Sequence, residues 1–84
     1  MKDKRGLYYY PFPGNKKVRM YIREVAGTIE FRLSNEEDSA LWKDHGWVPN
    51  DAIVKAKEMY KGGPFDPNKA YDLKIARAMI AEEK

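Results

Sequence analysis

The densest grouping of chemistry-bearing side chains lies in the first third of the chain. There Tyr8, Tyr10 and Phe12 precede Lys17, Arg19, Tyr21, Arg23 and Arg32. Aromatic faces stack on nucleobases, and guanidinium or ammonium groups neutralise phosphates. Tyr and Arg are also the residues enriched at the hot spots of protein–protein interfaces. A plainer use is available to every one of them. Arg23 opposite Glu30 makes a cross-strand ion pair, Tyr21 beside Arg32 makes a cation–π contact, and Tyr favours strands for packing reasons.

Catalytic and metal chemistry is thinly represented. The single histidine, His45, sits in Lys43-Asp44-His45-Gly46. At the end of a helix its simplest role is to answer the last carbonyls and the dipole rather than to act as a general base. One histidine and no cysteine leave no zinc ligand set and no thiol nucleophile. The segment from Asp66 to Asp72 glances at a calcium loop, but Ala70 stands at its fifth position and Tyr71 stands where glycine is required. Gly62-Gly63-Pro64 does not continue into the Lys-Ser/Thr of a phosphate loop. Glu36, Glu37 and Asp38 are consecutive, so on a helix they point apart. Trp42 and Trp47 flank Gly46 and read as core bulk sealing a helical corner. No catalytic residue, metal ligand or cofactor is expected.

The elements that must carry the Tyr/Arg group follow from periodicity. Val18, Met20 and Ile22 alternate with Arg19, Tyr21 and Arg23, and Ile29, Phe31 and Leu33 alternate with Glu30 and Arg32. Period two predicts half-buried antiparallel strands. A two-residue turn at Ala26-Gly27 pairs Ile22 with Phe31, Met20 with Leu33, Arg23 with Glu30 and Tyr21 with Arg32. Turn length and hydrophobic pattern therefore agree. A first strand over Leu7 to Phe12 must be an edge strand, because Pro11 cannot donate to a ladder. A two-residue loop at Gly14-Asn15 pairs Tyr9 with Met20 in the core. Tyr8, Tyr10 and Phe12 then share the outer face. A five-residue loop would reverse this, and the first register is preferred.

Three helices are expected after the strands. Ser34 is read as the N-cap and Glu37 as its capping-box partner in a helix ending at Gly46. Pro49 starts a second helix running to about Lys61, with Ala52, Ile53, Ala56, Met59 and Tyr60 as its apolar stripe. Gly62-Gly63-Pro64 ends it. Asp66 caps a third helix with Pro67 at its first position, and Leu73, Ile75, Ala76, Met79 and Ile80 form a wide apolar face.

Composition fits this plan. The chain has 84 residues, 43% of them hydrophobic and 35% charged, with a net charge of +3. A chain of this length supports one core and no interdomain cleft. Residues 1–33 hold eight Lys/Arg against three Asp/Glu, whereas residues 34–84 hold eight against ten, so the basic excess lies on the sheet. No apolar run is long enough to cross a membrane, and the charged N-terminus lacks the apolar stretch of a signal peptide.

The expectation is therefore one α+β domain over residues 1–84, with residues 1–6 a flexible basic N-terminus. A three-stranded antiparallel meander is followed by three helices packed on one face, in the order β-β-β-α-α-α. The other face is left open. Tyr8, Tyr10, Lys17, Arg19, Tyr21, Arg23 and Arg32 on that face are the candidate binding residues. The expected function is a non-catalytic, cytoplasmic binding module for another protein or for a second copy of itself. The alternative is a nucleic-acid-binding domain using the same face.

Overall fold

In the computed structural model, which describes residues 1–63 and 66–83, the chain is an α+β fold built on a five-stranded antiparallel sheet. The strands are β1 (Lys2–Asp3), β2 (Gly6–Tyr9), β3 (Val18–Val25), β4 (Thr28–Asn35) and β5 (Val48–Pro49), and they lie side by side in chain order. The helices are α1 (Ser39–Asp44), α2 (Asn50–Met59), α3 (Pro67–Ala70) and α4 (Leu73–Glu83).

The β3–β4 hairpin has the expected register, with Ile22 opposite Phe31, Met20 opposite Leu33, Tyr21 opposite Arg32 and Arg23 opposite Glu30. Its turn residues Ala26 and Gly27 have φ of 51° and 81°, and two positive φ values suit the right-handed twist of the strands. β2 pairs Tyr9 with Met20 and Leu7 with Ile22, so Tyr9 faces the core and Tyr8 the other side. The preferred register holds although no tight hairpin forms. Two successive turns, closed by Asn15 N donating to Phe12 O and Val18 N to Asn15 O, replace it. They turn Phe12 against the core instead of leaving it on the outer face.

Tyr9, Met20, Ile22, Ile29 and Phe31 form the core face of the sheet, covered by Ile53 of α2, Ala70 of α3, and Ala76 and Ile80 of α4. The expected third helix is broken in two at Tyr71-Asp72. Asp66 caps α3 by accepting from Asn68 N, and Pro67 opens it, as expected. Asp72 then takes the capping role for α4, its carboxylate accepting from Ile75 N at 3.2 Å. The break is held from below. The Tyr9 hydroxyl donates to Ala70 O at 2.6 Å and accepts from Asp72 N at 3.0 Å. Burial pushes the Tyr9 phenol up to about 12.

Four expectations are corrected. Residues 1–6 are not a loose tail, because Lys2 and Asp3 pair with Leu7 and Gly6 to add a strand. Ser34 does not cap a helix. It continues β4 opposite Arg19, and the ladder's hydrogen bonds take precedence over the cap. Asn35 supplies the side-chain acceptor instead, bonding Glu37 N at 2.9 Å, and α1 begins only at Ser39. The apolar stripe of α2 is largely outside. Only Ile53 is buried, and Met59 is 75% exposed. Beyond Ile53, Lys57 Nζ ties α2 to the α3–α4 break by donating to Tyr71 O at 2.9 Å. Finally, α1 contributes no buried residue to the core, and its Trp42 reaches over the sheet face expected to be open. Gly62 and Gly63, with φ of 102° and 147°, follow α2 as expected, while Pro64 lies outside the described residues.

Candidate interaction face and its cavity

Strand alternation sends Tyr8, Arg19, Tyr21, Arg23 and Arg32 to the side opposite the core. This side is layered. Tyr21, at its centre, is only 2% exposed. The Tyr8 ring lies 5.4 Å from it and the Trp42 ring 5.2 Å from it, centre to centre. Tyr10 stands edge-on to Tyr8 at 5.7 Å, and Trp47 edge-on to Trp42 at 6.1 Å. Five rings thus form a continuous band.

Cations cover the band. The guanidinium of Arg32 lies 3.9 Å from the Trp42 ring centre and that of Arg5 lies 4.4 Å from it. Arg23 stacks on Trp47 at 4.3 Å, Arg19 on Tyr8 at 4.7 Å, and Lys16 approaches Tyr10 at 5.9 Å. Such contacts add attraction between cation and ring quadrupole. They also let a charged side chain cover an aromatic ring while its polar edge stays wet.

Carboxylates hold two of the four guanidinium groups in place, those of Arg19 and Arg23. Asp3 Oδ2 accepts from Arg19 Nη1 at 3.0 Å and from the Tyr21 hydroxyl, while Asp3 Oδ1 accepts from Arg5 N at 2.8 Å. Arg19 also reaches Glu36 at 3.7 Å. Arg23 Nε donates to Glu30 at 2.6 Å, and Lys17 pairs with Glu37 at 3.0 Å. Arg32 donates to the Trp42 carbonyl. Partial burial opposes ionisation of Asp3, but the bonds from Tyr21 and Arg5 and the Arg19 charge outweigh it and hold the carboxyl below its ordinary range. Burial, then the bond to Asp3, pushes the Tyr21 phenol up. The hydrogen bond shared with Tyr21 holds the Arg19 proton more firmly still.

Six of the seven residues read as a binding face therefore lie in one band, in different states, and Lys17 is paired with Glu37. Tyr21 is interior to the band. Arg19 and Arg32 are half-buried, and their Nε atoms are buried without a hydrogen-bond partner. Tyr8 and Tyr10 are half-buried, and Arg23 and Lys17 are exposed. Asp3, Arg5, Trp42 and Trp47 belong to the same band and were not expected there. Nothing in the residue pattern distinguishes an indole bound for the core from one that stacks on arginine, so the sequence carries no signal that places Trp42 and Trp47 here.

Beside this band lies a cavity of about 440 Å³, lined among others by Lys4, Arg5, Arg19, Ser34, Ser39 and Trp42. A second one, of about 270 Å³ and more apolar, lies between Leu33, Leu41, His45, Val48 and Tyr71. Among the described residues no group of three or more His, Cys, Asp or Glu is placed to hold a metal ion. No described helix is long and apolar enough to cross a membrane. No family model, curated protein or solved structure matches the chain.

Proposed function

We propose that the protein is a non-catalytic module that binds another protein, or a second copy of itself, through the Tyr/Trp/Arg band. The observation that carries this reading is the stacking of Arg5 and Arg32 on Trp42 and of Arg23 on Trp47. Rings and guanidinium groups held in one arrangement lose little rotamer freedom when a partner arrives. They are also the residue types that supply most binding energy at interface centres.

The ion pairs weigh against the nucleic-acid alternative. Arg19, Arg23 and Lys17 already face Asp3, Glu30 and Glu37, so a phosphate chain would have to displace carboxylates to gain them.

The test compares immobilised wild-type protein with a double Tyr10→Ala, Arg23→Ala variant and with Met59→Ala on the exposed side of α2. A partner or second copy retained by wild type and Met59→Ala, and lost by the double variant, is the expected result. Equal recovery by all three overturns the proposal. Salt-sensitive binding of labelled oligonucleotides, abolished by Arg23→Ala, overturns it in favour of nucleic acid.

A further inference from the structure

The 440 Å³ cavity beside the band gathers three cationic side chains around one concave site. Its lining carries Lys4, Arg5 and Arg19 against Asp3 and Glu36. The two carboxylates are committed to Arg19, and Asp3 also to the Tyr21 hydroxyl and the Arg5 amide. Lys4 and Arg5 take part in no ion pair among the described residues. Both sit in the turn between β1 and β2, where Gly6, at φ of 124°, brings the chain back on itself.

Arg5 is nonetheless held. One terminal nitrogen donates to Ser34 Oγ at 3.1 Å, and its guanidinium lies on Trp42. That single bond uses one of five donors, leaving an edge of the fork free. Ser34 accepts from Arg5, so its own proton is free to donate, and Ser39 adds a second hydroxyl on the wall. A pre-placed guanidinium edge, an ammonium group and two hydroxyls form a donor set that suits one planar oxyanion.

We infer that this cavity receives a carboxylate of a partner polypeptide, taken by the Arg5 fork with Lys4 and the two serine hydroxyls around it. The inference rests on the protein-binding reading above and names the partner chemistry at one end of that face. Asp3 and Glu36 in the wall favour this occupant over a phosphate chain. A single carboxylate needs one anion position, whereas successive phosphates would be driven against both acids. The carboxylate is either an Asp/Glu side chain or a chain end.

The test is a nitrogen-15 NMR titration of the intact protein with three short peptides. They are a capped Gly-Ser-Glu-Ser-Gly, the same peptide with Gln for Glu, and the Gln peptide with a free C-terminal carboxylate. Saturable shifts at the Arg5 Nε–H and the Trp42 indole N–H are expected with one or both carboxylate peptides and not with the capped Gln peptide. Which of the two acts identifies the source. Arg5→Gln should weaken the effect roughly tenfold, the loss expected for one charge-assisted hydrogen bond. A folded spectrum of that variant separates lost binding from lost structure. Equal or absent shifts with all three peptides overturn the inference, and so does inorganic phosphate shifting the same signals more strongly than either carboxylate.

The two proposals fail separately. Partner capture lost on Tyr10→Ala, Arg23→Ala but untouched by Arg5→Gln overturns the cavity alone. Peptide binding with no partner captured by wild-type protein overturns the broader reading alone.

Discussion

The two faces of the central sheet both exclude water, by unlike means. On one, Met20, Ile22 and Phe31 lie under Ile53, Ala76 and Ile80, hydrocarbon against hydrocarbon. On the other, Tyr21 is as deeply buried as Ile22, yet its cover is the Tyr8 and Trp42 rings, themselves overlain by guanidinium groups that carboxylates, a backbone carbonyl and a serine hydroxyl hold in place. The first is non-directional and tolerates neither charge nor vacancy. The second is directional and built from groups that remain soluble at their edges. A small domain can therefore close one sheet face with helices and the other with its own aromatic and charged side chains.

The largest break in this comparison is Phe31→Ala. Deleting a fully buried phenyl ring should cost about 3–5 kcal/mol, read as a fall in the urea midpoint with the slope unchanged. That loss should not vary with salt. Next comes Tyr9→Phe, which keeps the ring and strips Ala70 O and Asp72 N of their shared partner. A cost of about 1–3 kcal/mol is expected, with faster hydrogen exchange confined to the first turn of α4.

Tyr9 also sharpens the contrast through pH. Its folded value of about 12 lies above the ordinary 10, so its contribution is present below pH 10 and falls away as pH rises toward 12. Tyr9→Phe should flatten that alkaline slope.

Asp3→Asn acts on the opposite face and at the opposite end of the pH scale. Because its folded value is depressed below 3.8, the Asp3 contribution is present at neutral pH. It is lost as pH falls below that point through the folded value. The variant should cost below about 1 kcal/mol, remove part of the acid slope, and matter less as salt rises. Arg23→Gln should have the smallest effect, a few tenths of a kcal/mol, since the Arg23 side chain is exposed to water and salt. An Asp3 or Arg23 effect as large and salt-independent as that of Phe31 would erase the distinction between the faces.

The long strands were legible because two independent constraints, a two-residue turn and an alternating pattern, demanded one register for β3 and β4. The facing of Tyr9 followed from the same arithmetic and survived a different turn geometry. The strands β1 and β5 were not legible, since two residues carry no periodicity. The start of α1 was misread because Ser34 and Asn35 satisfy both a capping motif and a strand extension. Only the neighbouring strand decides between them. Strand alternation made Tyr8, Arg19, Tyr21, Arg23 and Arg32 legible as sharing one sheet face, but their cover was not. Sequence alone cannot tell whether an indole joins the aliphatic core or stacks on arginine, and both indoles took the second course.

The Tyr9 hydroxyl joins β2 to residues 61 and 63 positions further along the chain. During synthesis strands β1 to β4 can pair as soon as Asn35 is available, but their aliphatic face gains its first cover only with Ile53 of α2 and the rest only when α3 and α4 have emerged. The nascent chain thus passes through an interval with Met20, Ile22 and Phe31 uncovered, the kind of exposed surface on which partly made chains aggregate or engage chaperones. Slowing translation between the codons for Asn35 and Asp72 should lengthen that interval and lower the soluble yield.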